Sequence, residues 1–181
     1  MTKKRILVID TCTLINLLAS GEIESILSMA GEQFLICTAV QEESLYLRAD
    51  NPTADKEKID LTLLVDNGVL TLCQLETPDE EQLYVNFASQ LDDGEAMTLA
   101  IAINRNFELV TDEKKARRLY REATGSEDSL KCTSQLIRQW AERTGISGEQ
   151  LKMILLKIQQ RARYHPPNWD ANNDWWTDAC Q

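Results

Sequence analysis

Short apolar runs alternate along the chain with longer stretches of helical periodicity. Runs of β-branched and other apolar residues predict strands at residues 5–9, 34–37, 69–73, 107–111 and 130–132. The first helical pattern starts at Leu14, is interrupted near Gly21 and resumes up to Gly31. Later patterns predict helices at residues 53–66, 79–90, 113–123, 134–144 and 148–163, with another through Ala96 and Ile103.

Two of the helix boundaries have local sequence signals. Thr38 and Gln41 have the spacing of a capping box, which predicts a helix from Thr38 through Glu43 and Leu47 until Asn51-Pro52 stops it. Asp92 precedes Glu95 by three residues and is predicted to cap the helix that contains Ala96.

Alternation of strands and helices predicts right-handed crossovers and a parallel sheet covered on both faces. We therefore expect a three-layer α/β/α fold with a central, mainly parallel sheet of four to five strands. Residues 1–146 are assigned to this domain, 147–164 to a helical extension of it, and 165–181 to a separate tail.

The composition excludes several classes of protein. Among 181 residues there is one histidine, His165, so multi-histidine metal sites and catalysis are excluded. Five scattered cysteines without a C-x-x-C pair indicate free thiols rather than disulfides or a zinc site. No apolar run is long enough for a membrane span, and the first residues do not resemble a signal peptide. We expect a cytoplasmic protein with no membrane partner.

Acidic and basic residues are concentrated in different parts of the chain. The net charge is −10 overall, but residues 1–112 carry −13 and residues 113–164 carry +6. Both regions fit solvated helix faces, and they also fit an anion-binding surface beside a cluster of acids.

Four acids lie at comparable positions, near the ends of predicted strands or the starts of predicted helices. Asp10 and Asp112 directly follow strands, Glu43 lies near the start of the helix after the second strand, and Glu95 lies in the first turn of a later helix. Each alone fits a cap or a favourable charge at a helix N-terminus. Together, near the carboxyl edge of one sheet, they would repel unless cations neutralise them. Such a set suits the hard ions Mg²⁺ and Mn²⁺.

Four segments resemble the PIN domain family of nucleases. They are ILVIDTCTLIN at 6–16, AVQEE at 39–43, LDDGEAMTLA at 91–100 and LVTDEKKAR at 109–117. The resemblance covers residues 5–145 and is strongest to a poorly characterised prokaryotic subgroup. It implies that Asp10, Glu43, Glu95 and Asp112 form the family's catalytic, metal-holding acids. It also implies that Thr11, Thr13 and Asn16 support the first acid.

The resemblance implies hydrolysis of RNA with Mg²⁺ or Mn²⁺ as cofactor, leaving a 5′-phosphate and a 3′-hydroxyl. Many members of the family are toxins, so the resemblance allows for an antitoxin or another protein partner. A homodimer is also left open. A different hypothesis is a catalytically silent PIN-like module that binds a protein partner. Receiver-like and phosphatase-like domains also place Asp after the first strand, but Asp10-Thr11-Cys12 lacks their paired aspartates.

Some neighbours of the four acids leave alternatives open. Glu42 could replace Glu43, and Glu113 could act as a fifth acid or face solvent. Asp92 or Asp93 could join the site, although a capping role is favoured. Cys12, between Asp10 and Thr13, is expected to be a small buried hydrophobe rather than a reactive group.

A basic face is predicted on the helix that follows Asp112. Lys114, Arg117, Arg118 and Arg121 have i, i+3, i+4, i+7 spacing and could track a phosphate backbone. Arg117 could instead make a structural ion pair.

Three of the four tryptophans lie in the last seventeen residues. Packing onto the domain or onto a neighbouring subunit is favoured over stacking with unpaired bases. The spacing of Asp170, Asn172 and Asp174 resembles a calcium loop, but Trp175 replaces the required glycine and no Glu closes the loop, so this interpretation is rejected.

Overall fold

The computed structural model describes residues 4–28, 31–43, 45–49 and 55–181. Seven strands are present among them: β1 (Arg5–Ile9), β2 (Glu32–Cys37), β3 (Tyr46–Leu47), β4 (Glu57–Lys58), β5 (Thr71–Cys73), β6 (Glu108–Val110) and β7 (Leu130–Lys131). The same residues form ten helices: α1 (Thr11–Ser20), α2 (Ile23–Leu27), α3 (Thr38–Glu42), α4 (Thr62–Asp66), α5 (Pro78–Ala88), α6 (Asp93–Asn104), α7 (Lys114–Thr124), α8 (Thr133–Thr144), α9 (Gly148–Ala162) and α10 (Asn173–Ala179).

The central sheet has five parallel strands in the order β5-β2-β1-β6-β7. Strand β1 is in the middle, and its residues Leu7, Val8 and Ile9 are fully buried. Helices α3, α5, α6 and α7 form one contacting group, and α1, α2, α8, α9 and α10 form another. The predicted three-layer α/β/α class with a parallel sheet is confirmed, and the sheet has five strands.

The carboxyl ends of the central strands place candidate residues at one edge of the sheet. β1 runs directly into Asp10 and α1, and β6 ends two residues before Asp112. Pairing of Ile9 with Val110 sets the register of these strands, and Asp10 N–H extends it with a 3.2 Å hydrogen bond to the Val110 carbonyl. Because parallel neighbours end at the same edge, the loops after β1 and β6 lie side by side.

The predicted helix from Thr38 to Leu47 is wrong beyond Glu42. Glu43 is extended, with ψ 142°, and Tyr46–Leu47 forms β3, antiparallel to β4. The predicted capping box is also absent: Cys37 occupies the N-cap, and the Thr38 hydroxyl contacts Met97 Sδ at 3.7 Å. The predicted stop at Asn51-Pro52 lies outside the described residues.

The predicted helix at 53–66 is confirmed only for its last turn, α4. Asp60 Oδ1 accepts hydrogen bonds from the Thr62 N–H (2.9 Å) and hydroxyl (2.6 Å), which starts the helix late. Glu57–Lys58 pairs with β3 instead of continuing a helix. Residues 53 and 54 of the predicted helix lie outside the described residues.

The Trp-rich tail packs onto the rest of the chain, as expected, and contains a helix that was not predicted. Trp176, in α10, is fully buried and belongs to the hydrophobic core. Its ring meets the rings of Tyr164 and Trp175 edge to face, with centroids 5.5 and 6.3 Å apart. The tail is therefore continuous with the core.

Candidate active site

The carboxylate of Asp10 caps α1 with one oxygen and leaves the other without a partner. Oδ1 accepts a 2.8 Å hydrogen bond from the Thr13 N–H. The residue is 1% exposed, and its buried Oδ2 has no hydrogen-bond partner among the residues that the structure describes. Buried carboxylate oxygens are normally paired with a donor or a cation. Oδ2 is therefore an oxygen ligand available to a cation.

Burial raises the pKa of Asp10 to about 7, and the nearby charge of Asp112 adds to the rise. The nearby Thr111 hydroxyl and the hydrogen bonds from Thr13 oppose the rise only in part. An ionised Asp10 is thus disfavoured in the protein alone, and a nearby cation would restore its ionisation.

The carboxylate of Asp112 is held by donors from three parts of the chain. Oδ1 accepts from the Thr133 N–H and from the Tyr164 hydroxyl, both at 3.1 Å. Oδ2 accepts from Asn16 Nδ2 at 3.2 Å and from the Thr133 hydroxyl. Four donors match the four lone-pair positions of a carboxylate, so Asp112 is fixed in orientation. Its pKa is still raised by burial, against the effect of the Thr133, Tyr164 and Asn16 hydrogen bonds.

Glu95 is half-buried in the first turn of α6, whose N-cap is Asp92. Asp92 Oδ1 accepts a 2.8 Å hydrogen bond from the Glu95 N–H, as predicted. Burial raises the pKa of Glu95 to about 7, and the charges of Asp92, Glu113 and Asp10 add to the rise. The charge of Asp10 is therefore close enough to Glu95 to raise its pKa.

Glu43 lies against the start of α6. Its carboxylate occupies the space next to the α-carbon of Gly94, close to the Thr11 hydroxyl. Burial raises its pKa, the Thr11 hydroxyl opposes the rise, and the charges of Asp92 and Asp93 add to it.

Cys12 lies among the acids. Its pKa is raised to about 12 by partial burial of the thiol and by the charges of four surrounding carboxylates, those of Asp10, Glu95, Glu113 and Asp112. The residue is exposed, so the expectation that it is buried is wrong. The raised pKa keeps the thiol protonated and unreactive.

The four predicted acids therefore share one end of the sheet without meeting at one point. Asp10, Asp112 and Glu95 interact electrostatically with Cys12 and in part with each other, whereas Glu43 lies on the Gly94 side. In the described part of the chain, no three His, Cys, Asp or Glu side chains are close enough to form a ready metal site. The expected compact four-acid pocket is thus not seen in this conformation.

The residues expected to support Asp10 have different roles. Thr13 supports it through its backbone N–H, while its hydroxyl donates to the Val110 carbonyl at 3.4 Å. Asn16 supports Asp112 instead, because one turn of α1 separates its side chain from Thr13 and carries it toward the loop after β6. The hydroxyl of Thr11 lies beside Glu43.

The acids next to the four predicted site residues are exposed or make structural hydrogen bonds. Glu42 is exposed, and Asp93 accepts a 3.0 Å hydrogen bond from the Tyr84 hydroxyl. Glu113 caps α7 by accepting from the Lys115 N–H at 3.1 Å, and its charge also reaches Glu95 and Cys12.

The basic residues of α7 divide into two kinds. Arg117 Nη1 donates to the carbonyls of Thr111 (3.1 Å) and Lys131 (3.0 Å), and its guanidinium lies 4.7 Å from the centre of the Trp169 ring. Arg117 thus connects α7 to the strand ends and the tail, and it forms no ion pair with an acid in the described ranges of the chain. Lys114, Arg118 and Arg121 are exposed, and two of them form surface ion pairs: Arg118 with Glu122 (3.6 Å) and Arg121 with Glu127 (2.5 Å). These three residues of the predicted basic face are exposed to solvent.

Tyr164 and Thr133 contact Asp112 but were not predicted as site residues. Tyr164 lies 52 positions from Asp112 in the sequence and Thr133 lies 21 positions away, so neither forms a local motif with it. The position of Thr133 directly after the short strand near 130–132 was the only available signal.

The comparison with protein families agrees with this architecture. The model of the family DUF3368, a PIN domain, matches residues 6–169, so the chain belongs to the PIN domain family. No curated relative and no solved structure matches it. PIN domains are commonly nucleases, generally use divalent metal ions and generally act on RNA. Among the residues that the structure describes, every helix is too short or too polar to cross a bilayer.

Proposed function

We propose that this PIN domain is a ribonuclease that depends on Mg²⁺ or Mn²⁺. The proposal rests mainly on Asp10 Oδ2, a buried carboxylate oxygen that has no hydrogen-bond partner in the described part of the chain. It lies among other carboxylates whose pKa values are raised. The donor set is all oxygen, which hard divalent ions prefer. We assign Asp10, Glu43, Glu95 and Asp112 to the site, with Asp10 as the central ligand.

A bound divalent ion supplies positive charge that neutralises the phosphate and favours ionisation of water near the phosphorus. Asp10 would hold the ion through Oδ2, because its Oδ1 is occupied by the Thr13 N–H. Asp112, fixed by its four donors, adds negative charge beside Asp10. Glu95, in the first turn of α6, and Glu43, which lies against that turn, would add carboxylate oxygens to the site. Lys114, Arg118 and Arg121 would hold the phosphate backbone of the RNA.

A catalytically silent module that binds a protein partner is the second candidate. One observation favours it: no three potential ligands among the described residues are close enough to form a ready metal site. Nothing in the site favours a toxin role, an antitoxin or a homodimer, so these stay predictions. The cytoplasmic location likewise stays a prediction from the sequence.

The two candidates are separated by metal binding and cleavage in the same preparation. We expect Mn²⁺ to raise the unfolding temperature of the wild-type protein, and a mixed-sequence single-stranded RNA to be cleaved only when Mn²⁺ or Mg²⁺ is present. Asp10→Asn should abolish both effects while leaving the protein folded, because asparagine also caps helices.

Asp128→Asn is the matched control, since Asp128 is an exposed aspartate in the turn before β7. It should bind Mn²⁺ and cleave RNA like the wild type. Cleavage that survives both Asp10→Asn and chelation would contradict the proposal. Stabilisation by Mn²⁺ without cleavage of any RNA would favour the silent module.

A further inference from the structure

The chain returns to the candidate site after α9, through Tyr164. Helix α9 ends at Ala162, Arg163 adopts a left-handed conformation with φ 58°, and the Tyr164 hydroxyl then donates to Asp112 Oδ1 at 3.1 Å. A tyrosine hydroxyl keeps its proton at neutral pH, so Tyr164 is the donor and the Asp112 carboxylate the acceptor. This contact joins the C-terminal part of the chain directly to one of the proposed acids.

The Tyr164 ring is held in place by the core. It packs edge to face on Trp176, with ring centroids 5.5 Å apart and an interplanar angle of 79°. Trp176 is fully buried, and its helix α10 contacts α9. The position of the Tyr164 hydroxyl is therefore set by packing and not by a freely moving tail.

A second connection reaches Asp112 from the same segment. Asp170 is buried, and its Oδ2 accepts a 2.6 Å hydrogen bond from the Ser134 hydroxyl. Ser134 follows Thr133, which donates to Asp112 through both its N–H and its hydroxyl. Residues 164–176 thus support Asp112 directly and through the start of α8.

We propose that Tyr164 is a positioning residue for the metal site and that residues 164–176 are part of the construction of that site. Tyr164 acts through Asp112: with Asn16 and Thr133 it fills the acceptor positions of the carboxylate and fixes the direction of its charge. This inference rests on the proposed function. Hydrogen-bonding partners of metal-site carboxylates commonly change metal affinity or activity by about 10–100-fold when removed.

The test replaces only the hydroxyl. Tyr164→Phe keeps the ring against Trp176 and removes the donor to Asp112. We expect the Mn²⁺ dissociation constant, measured by calorimetry on metal-free protein, to rise about tenfold or more. In RNA cleavage, kcat should fall by about the same factor while KM for a mixed-sequence single-stranded RNA changes less than about twofold.

Tyr120→Phe is the matched control. Tyr120 is a buried tyrosine of α7 whose hydroxyl has no hydrogen bond in the part of the chain that the structure describes. It should bind Mn²⁺ and cleave RNA like the wild type.

The outcomes separate this inference from the proposed function. If Mn²⁺ binding depends on Asp10 but Tyr164→Phe binds it as tightly as Tyr120→Phe, the positioning role is overturned and the proposed function stands. A lower unfolding temperature of Tyr164→Phe, with unchanged Mn²⁺ affinity and kcat, would show a purely structural role and also overturn it. If Mn²⁺ binds wild type and Asp10→Asn equally, both proposals fail.

Discussion

The carboxylate of Glu43 lies directly over the α-carbon of Gly94. A β-carbon at position 94 would overlap Glu43 Oε1 and come within 3.1 Å of Thr11 Oγ1. Gly94 is in the first turn of α6, and it is needed for this close approach rather than for an unusual backbone conformation. The glycine before Glu95 is therefore part of the geometry of Glu43.

Gly94→Ala should displace Glu43 while leaving the fold intact. Alanine favours the helix by about 1 kcal/mol over glycine, and the flexible Glu43 side chain can move away from the new methyl group. We expect an unfolding free energy in urea within about 1 kcal/mol of wild type. Metal-dependent RNA cleavage should fall about tenfold or more because Glu43 is misplaced.

Gly148→Ala is the control for this substitution. Gly148 also lies in the first turn of a helix, α9, and a β-carbon there meets no atom within 4 Å. Cleavage by Gly148→Ala should equal that of the wild type. Full activity of Gly94→Ala would show that the position of Glu43 does not matter for cleavage.

The stability of the metal-free protein should fall as the pH rises from about 4 to about 7. The pKa of Asp10 is about 7 in the folded protein and near 3.8 when unperturbed, so the folded state binds more protons across that range. The stabilisation that comes from the raised pKa of Asp10 is therefore complete below about pH 4 and is lost as the pH rises to about 7. Glu95, Glu43 and Asp112, whose pKa values are also raised, change stability in the same direction.

Asp10→Asn isolates the contribution of one group. At about pH 8 in the absence of metal, we expect this variant to be more stable than wild type by about 2–4 kcal/mol, since one unit of pKa shift corresponds to about 1.4 kcal/mol. At about pH 4 the difference should nearly vanish, because Asp10 is then protonated. Urea unfolding at several pH values measures this. Equal pH profiles for Asp10→Asn and wild type would show that Asp10 does not titrate near neutrality.

The parallel sheet could be predicted from the sequence because each of its strands contains a local run of apolar residues. Each of β1, β2, β5, β6 and β7 coincides with a predicted run, and burial on both faces makes such runs continuous. By contrast, β3 and β4 are two residues each and are stabilised by pairing with each other and by the 3.1 Å hydrogen bond from Arg48 N–H to the Arg161 carbonyl. Nothing local in Tyr46–Leu47 distinguishes a strand from a helix end.

The candidate site was predictable to a similar extent. The positions of Asp10, Asp92 and Glu95 at a strand end and at helix starts could be predicted, because local sequence patterns mark these positions. The contact of Asn16 with Asp112 was not predictable, since it depends on how α1 crosses the loop after β6. The direction in which Glu43 points depends on Gly94, 51 positions later in the sequence.

Trp176 anchors the tail, so its removal should be costly. The side chain is fully buried, and no described residue accepts a hydrogen bond from its indole N–H. Trp176→Ala should lower the unfolding free energy by about 3–5 kcal/mol, as measured in urea. Trp169→Ala is the control: Trp169 is 43% exposed and should cost about 1 kcal/mol. Similar small losses for both variants would show that α10 is not part of the cooperative fold.

The exposed cations of α7 should contact RNA phosphates, whereas Arg117 should not. In the Asp10→Asn background without metal, we expect the affinity for a mixed-sequence single-stranded RNA to fall with salt. Replacing Arg118 and Arg121 together by alanine should reduce the slope of log K against log salt by about 1.4, since each phosphate contact on a single strand contributes about 0.7.

Arg117→Ala should behave differently, because its guanidinium binds the carbonyls of Thr111 and Lys131. It should lower the unfolding free energy by about 1–3 kcal/mol and leave the salt slope unchanged. Arg143→Ala, an exposed charge at the end of α8, is the control for a general loss of positive charge and should leave the slope unchanged. A slope that does not change in the Arg118/Arg121 double variant would remove the exposed face of α7 from the RNA-binding surface.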